Sequence, residues 1–403
     1  MCRRAFWKWA VLVLLPMPQG FAAQDDLRTK PHQAITRAID FLLQAQQPDG
    51  AFRIYRCLDP ALTACRAARS MGLATQTSIP SNAQTPSSLI PGSTPTAEVL
   101  RGLLAIEDPR AASMIEKGAQ FLQAQMDQDG LFAYYRMVNP TLGPQCPGEF
   151  RQLRATALNR SVLETLGFSL PPILTRLATY QRPDGVFYFL AIPPAEAEAI
   201  QTGGPMQDRF RQRYGVLMRR YGVHMLKFLG IVDPVTNAEV FDYLVRHGQS
   251  SMALCDYLVQ VAQQEQATAN PIWADRWYLL PYTLSRAFHH GATCLEPAKA
   301  VLQPRLLRQQ MSNGSWGSVL DTALAVTSLI DFGYTGEALN LAVEHLLSRQ
   351  QPDGSWECAP WRVVLSPMDG EPLGWLASEE VSTGFVLQAL GQYLNNIRED
   401  MTL

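Results

Sequence analysis

Hydrophobic positions recur along this chain with helical spacing, and two kinds of segment alternate. Stretches such as Ala34 to Ala45 and Gly336 to Arg349 keep apolar residues on one face and polar residues on the other, the pattern of a helix that buries a single stripe. Others are apolar on most sides and rich in Ala, Leu, Val and Thr: Thr96 to Ile106, Ala155 to Leu166, Gly222 to Leu229, Trp277 to Phe288, Thr322 to Ile330 and Ser382 to Tyr393. That is the pattern of an enclosed helix. Several of these stop at glycine, at Gly167, Gly230 and Gly333, a C-terminal signal. The alternation predicts an all-α chain of about six hairpins, each pairing an outer helix with an inner one.

A repeat sits at the end of the outer helices. The spacing Leu, three residues, Gln, three residues, Gly, one residue, aromatic occurs at Leu42/Gln46/Gly50/Phe52, Leu122/Met126/Gly130/Phe132, Leu177/Gln181/Gly185/Phe187, Leu306/Gln310/Gly314/Trp316 and Leu346/Gln350/Gly354/Trp356, with Met in the Gln place in the second copy. Asp or Asn always precedes the glycine, at Asp49, Asp129, Asp184, Asn313 and Asp353. An Asp-Gly or Asn-Gly step supplies the positive φ that reverses a chain after a helix. Pro48, Pro183 and Pro352 keep three of these helices from running on. The Gln amide and the aromatic ring read as structural: the first can satisfy backbone groups left over at a helix end, the second can pack on the neighbouring helix.

The fourth hairpin lacks the turn signature. Val240 to Arg246 reads as its outer helix, and Ser251 to Gln264 as an extra helical stretch. Two similar loops follow the first two turns. Gly50 to Arg56 with Asp59-Pro60 parallels Gly130 to Arg136 with Asn139-Pro140, and Cys65 or Cys146 follows. The longest linker, Ser70 to Pro95, is rich in Ser, Thr and Pro and reads as a lid or disordered segment.

Composition bounds the function classes. With 34 Lys+Arg against 36 Asp+Glu and no basic tract after the N-terminus, the chain offers no electrostatic footprint for nucleic acid. Residues 1–22 read as an export signal: Arg3, Arg4 and Lys8 precede a short apolar core, Ala10 to Leu15, and Gly20-Phe21-Ala22 supplies a small-residue cleavage site. The core is too short to span a bilayer. Arg3-Arg4 also fits twin-arginine export. The expected destination is therefore the periplasm or the exterior, with residues 23–403 forming one domain. Six cysteines remain, Cys57, Cys65, Cys146, Cys255, Cys294 and Cys358, an even number that allows disulfides or buried thiols without fixing a pairing.

The Leu-x3-Gln-x3-Gly-x-Trp spacing resembles the QW repeat of triterpene cyclases and, more broadly, the prenyltransferase and squalene-oxidase repeat. The resemblance covers essentially the whole processed chain. It implies a terpenoid cyclase-like α/α toroid, with an inner ring of six helices, an outer ring of six and a central ligand cavity. An apolar small molecule is the ligand it implies; no cofactor follows from it. Fold does not fix chemistry, so each activity of the superfamily is tested on residues. Class II cyclases protonate substrate with the middle Asp of Asp-x-Asp-Asp. The corresponding stretch here is Ser318-Val319-Leu320-Asp321, which keeps only the last Asp and has Leu320 at the proton donor. The thioester relatives need Cys-Gly-Glu-Gln, which Cys146-Pro147-Gly148-Glu149 breaks, and the Asp-x-Cys pair of zinc-dependent prenyltransferases is absent. His289-His290 with Cys294 is the nearest metal-like group, but adjacent helical histidines point about 100° apart, so no metal is assigned. Arg151, Arg154, Arg160 and the stretch from Arg209 to Arg220 are the cations a diphosphate would draw on.

The candidates that remain lie in or beside the loops entering the inner helices. The carboxylates Asp275, Asp321, Glu379 and Glu380, with Glu98, could act as acid and base, or could simply favour helix dipoles as caps. The aromatics Tyr134, Tyr135, Trp273, Trp277 and Trp375, with Trp361, could line a substrate site, or belong to the core. Three readings follow: a binding protein or enzyme for an isoprenoid-like molecule, lacking class II protonation chemistry; a carbohydrate-active toroid, glycosidase or polysaccharide lyase, with two carboxylates about 5 to 10 Å apart; or a non-catalytic interaction domain.

Overall fold

The computed structural model describes residues 19–57, 88–133, 151–201, 230–264, 277–365 and 372–400. Its helices are α1 Gln19–Ala45, α2 Ser93–Leu104, α3 Pro109–Gln125, α4 Leu153–Thr165, α5 Leu174–Tyr180, α6 Pro194–Gln201, α7 Pro234–Arg246, α8 Met252–Gln263, α9 Leu279–His289, α10 Glu296–Gln309, α11 Val319–Asp331, α12 Glu337–Ser348 and α13 Glu379–Asp400. Six of them form a closed inner ring: α2 packs on α4, α4 on α7, α7 on α9, α9 on α11, α11 on α13, and α13 again on α2. Each is preceded by an outer helix, in the order α1, α3, α5, α8, α10 and α12. The result is the α/α toroid that the alternation implies. Enclosure shows along whole inner helices: nearly every residue of α11 from Val319 to Leu329 is buried, whereas the outer α12 buries a single stripe, Leu339, Ala342, Val343 and Leu346.

The repeat residues weld one hairpin to the next. Gln46 Nε2 donates to Gly50 O at 3.1 Å across its own turn and to Met114 O at 2.8 Å on α3. Gln310 does the same to Gly314 O and Ala338 O, and Gln350 to Gly354 O and Ala34 O. The last pair joins α12 back to α1 and closes the outer ring. At Gly354, φ is +88° and a Cβ would stand 2.2 Å from Arg37 O, so only glycine lets the turn sit against α1. The aromatic after each turn is held as well. The backbone N–H of Phe52, Phe132, Trp316 and Trp356 donates to Thr96, Thr156, Thr322 and Thr383, and that of Phe187 to Asn237 Oδ1, all near the starts of inner helices.

Several expectations are corrected. Pro234–Arg246 is the inner helix of the third hairpin, ringed by α4 and α9, rather than an outer helix of the fourth; the outer helix of the fourth is Met252–Gln263. The stretch expected as an inner helix at 222–229 lies outside the described residues. The loop after the first turn contains a strand, β1 Arg53–Cys57, and the far end of the 70–95 linker contains β2 Ser88–Pro91 before α2 begins. With β3 Ala359–Leu365 and β4 Pro372–Ser378 they form an antiparallel sheet in the order β2-β1-β4-β3. The sheet packs on α2 and α13 at the end of the barrel where the inner helices start, here called the rim. Of the expected export segment at 1–22, residues 1–18 lie outside the described residues and 19–22 form the start of α1; the second of the two similar loops, beyond Ala133, also lies outside them. No described helix is long and apolar enough to cross a membrane.

Candidate functional site

At the rim, three of the sequence-derived carboxylates, Asp321, Glu379 and Glu380, sit in the first turns of two helices. Asp321 follows the N-cap Ser318: its backbone N–H donates to Ser318 Oγ at 3.1 Å, and the hydroxyl donates back to Asp321 Oδ2 at 2.6 Å. Ser378 repeats the arrangement on α13, accepting from Val381 N at 3.2 Å and donating to Glu380 Oε2 at 2.6 Å. Glu379 and Glu380 are both buried in this first turn. A carboxylate there meets the positive end of the helix and the cap hydroxyl together. Leu320, between Ser318 and Asp321, is buried in the core. Trp375 lies on β4 opposite Cys57 and Val363. Trp277 stacks under Arg305, 4.4 Å from ring centroid to guanidinium carbon, ahead of α9. Asp275, Trp273, Tyr134 and Tyr135 lie outside the described residues.

Beside these, Trp361 of β3 is fully buried, 5.7 Å from the Arg154 guanidinium and 6.4 Å from the Phe385 ring, and Arg362 lies 5.5 Å from the Phe189 ring. Tyr282 meets Phe385 edge-on at 5.5 Å. Aromatic rings from β3, α9 and α13 thus gather where the sheet meets the barrel.

Below them the barrel interior is charged. Glu98 of α2 pairs with Arg154 of α4 at 2.5 Å and with Arg101 at 3.5 Å; Arg101 reaches Glu239 of α7 at 2.5 Å; Glu239 lies 3.8 Å from Arg154. Tyr282 Oη accepts from Arg101 and Arg286 and donates to Gln388 Oε1 of α13. Arg286 pairs with Asp242, whose other oxygen meets His290 Nδ1 at 2.5 Å. Burial pushes the Glu239 acid up, but Arg101, Arg154 and Arg286 outweigh it and hold the group below the ordinary range. Burial likewise opposes Asp242, yet the His290 bond and Arg286 bring it down to about 2. Held ionised by their cations, Glu239 and Asp242 are poor proton donors near neutral pH.

The basic residues proposed for a diphosphate are otherwise engaged. Arg154 and Arg160 are buried rather than solvated: Arg154 as above, Arg160 on Glu164, Tyr243 Oη and Pro171 O, while Arg151 meets Asp127. The stretch 209–220 lies outside the described residues. Cys294 is disulfide-bonded to Cys255, which removes it as a metal ligand beside His289 and His290, and Cys358 is buried. An open groove of about 570 Å³ is lined by Leu131, Arg151, Arg176, Tyr180, Ile192 and Glu196, but none of its lining comes from the inner helices. Sequence reasoning missed the Thr/Asn ring at the starts of the inner helices, which a repeat search carried past the turn would reach. It also missed the ion cluster, for which charged residues inside mostly apolar helices were the signal.

No family model matches the chain, and no curated protein does. Solved structures do. The type II terpene cyclase MstE from Scytonema superposes with a TM-score of 0.62 at 16% identity, over 91% of this chain and 98% of that one. A variant of the same cyclase in complex with geranylgeranyl dihydroxybenzoate, its substrate, gives 0.64 at 16% identity, over 92% and 99%. A protein from Actinoplanes gives 0.61 at 20% identity, over 90% and 99%. At these identities the likeness is one of fold: the chain has a terpenoid cyclase-like fold.

Proposed function

We propose that this is an exported terpenoid cyclase-like toroid that binds an apolar, isoprenoid-like molecule at the aromatic rim of its barrel and does not begin cyclisation by protonation. The second part is supported by Leu320, a buried hydrocarbon at the position that the sequence resemblance matches to the class II proton donor, with the adjacent Asp321 tied to the Ser318 hydroxyl. The first part is supported by the half-buried rings of Trp375 on β4 and Trp277 ahead of α9, and by MstE, whose structures hold a geranylgeranyl substrate and the product merosterolic acid A. A carbohydrate-active reading is disfavoured because Glu98 and Glu239, the carboxylates that the barrel brings together, are bridged by Arg101 and Arg154. Export is supported by the Cys255–Cys294 bond, which suits an oxidising compartment.

The test is to titrate the purified chain with geranylgeranyl dihydroxybenzoate, following tryptophan fluorescence, and to analyse the recovered ligand by mass spectrometry and NMR. Saturable binding with unchanged ligand is the expected result. A cyclised product would overturn the assignment against protonation, and binding of oligosaccharides in place of the prenyl compound would overturn the ligand class. N-terminal sequencing of the processed chain from cell fractions tests export, with cleavage after Ala22 expected.

A further inference from the structure

The end of the barrel opposite the rim holds a buried carboxyl group that the ion cluster does not absorb. Asp331 closes α11 and is 5% exposed. Its Oδ1 accepts from Gln392 Nε2 of α13 at 3.0 Å. The second oxygens of both side chains, Asp331 Oδ2 and Gln392 Oε1, are shut off from solvent and receive no hydrogen bond from the described residues. A buried acceptor without a donor is destabilising, and here two such acceptors belong to the same pair of side chains. One hydrogen atom resolves both: a carboxylic acid against a primary amide can accept the amide N–H on one oxygen while its own O–H donates to the amide carbonyl.

We propose that Asp331 is a neutral carboxylic acid in the folded chain and donates its Oδ2 hydrogen to Gln392 Oε1, so that the seam between α11 and α13 is latched by a proton. The surrounding charges agree. Arg286 and His290 of the α9 end are committed to Asp242 of α7, which leaves Asp331 without an ion pair of its own among the described residues. Burial pushes the Asp331 acid up to about 6, Asp242 adds to the rise, and Arg286, His289 and His290 only partly offset it. From α13 the facing polar group is Gln392. The outer helices beside α11 bury apolar residues: Ala298, Leu302 and Leu306 of α10, and Leu339, Val343 and Leu346 of α12.

The sign follows from linkage. The folded group is raised above its unfolded value, so between the two the folded chain holds a proton that the unfolded chain has released. The latch is fully present below about pH 4, weakens as the pH rises towards about 6, and is lost above that. α11 and α13 are also the helices whose first turns carry Asp321 and Glu379 with Glu380, so the proton fixes the two helices that present the rim carboxylates.

The test is Asp331→Asn in the full chain, because an asparagine amide reproduces the neutral acid: Oδ1 still accepts from Gln392, and Nδ2 donates where the acid O–H did. Thermal unfolding of the variant should match the parent at about pH 4 and exceed it by a few degrees at about pH 8. An Asn variant less stable than the parent, by a margin that widens with pH, would show an ionised Asp331 paired with a cation and overturn the proposal. A difference independent of pH would overturn it as well. Infrared spectra of the unmodified chain supply a readout that no folding defect can obscure. A protonated-carboxyl band should persist at about pH 5.5, where solvent-exposed carboxyls have ionised. Its absence there would equally sink the latch.

Discussion

Two joints of the outer ring do the same work with unrelated chemistry. Where α12 meets α1, the Gln350 amide spans its own turn and the neighbouring helix, at 2.9 Å to Gly354 O and 2.8 Å to Ala34 O, while Gly354 lies against Arg37. Where α8 meets α10, a covalent bond links Cys255 of α8 to Cys294, in the short 3-10 turn just before α10, across 39 residues of sequence. The turn that would close the fourth hairpin falls at 265–276, outside the described residues, and no Gln-x3-Gly signature occurs there. The ring therefore needs a cross-link at each of these joints without requiring a particular one. The amide clamp works in any compartment; the disulfide works only where thiols are oxidised.

Breaking the covalent joint carries the largest expected effect. Closing a loop of this length restricts the unfolded chain by about 4 kcal/mol in the chain-entropy picture. Reduction, or Cys255→Ser with Cys294→Ser, should lower the urea midpoint accordingly, and the serine variant should be indifferent to reductant. A midpoint that does not move on reduction would mean that α8 and α10 hold together by packing alone, and would remove the structural support for export.

The contrast between the joints also explains how much was legible in the sequence. The clamped joints demand Leu, Gln, Gly and an aromatic ring at fixed spacing, because one amide has to reach two carbonyls across a glycine turn, so the turns and the number of hairpins could be read directly. Pro234–Arg246 was misplaced for a physical reason. The expected outer helix, Val240 to Arg246, is the second half of it, and what fixes the whole helix in the inner ring is long-range: Glu239 and Asp242 turn inward to Arg101, Arg154 and Arg286. The same holds for the candidate site. Asp321 and Glu380 announce themselves as helix starts by the Ser before them, a local pattern. The pairing of Glu98 with Arg154, or of Arg101 with Glu239, joins residues far apart in the chain, and no spacing rule reaches it. The β3–β4 hairpin escaped because Pro360, the bulges and the intervening segment 366–371 interrupt the alternation that marks a strand.

A smaller effect is expected at the clamp. Gln350→Leu keeps the volume but removes the donor to Ala34 O and Gly354 O and the acceptor that Arg37 Nε uses at 3.0 Å. Partly buried carbonyls left in this way should cost about 1–2 kcal/mol in equilibrium unfolding. Reductant should add to that loss in full, since the two joints lie apart and share no partner. A Gln350→Leu chain as stable as the parent would reduce the clamp to a passenger of the glycine turn.

The smallest effect belongs to the joint that has lost its glutamine. Met126 stands where the other turns have Gln, yet Gly130 keeps the turn conformation, with φ at +75°. The carbonyl that a clamp would hold is already taken: Arg160, reaching out from the inner helix α4, donates through Nη1 to Gly130 O at 3.3 Å and stands 3.0 Å from where a Gly130 Cβ would lie. The link to the next outer helix is made instead by Asp129 and Arg176 of α5 at 2.6 Å. Restoring the motif with Met126→Gln should therefore change stability by no more than about 0.5 kcal/mol, because the new amide competes with a guanidinium for one oxygen. In an Arg160→Leu background the same substitution should recover part of what the arginine supplied, and the double-mutant cycle should show a coupling of about 0.5–1 kcal/mol. A full clamp's worth of stabilisation in the parent would show that Arg160 and the glutamine do not share Gly130 O, and that the second joint was weak rather than differently made.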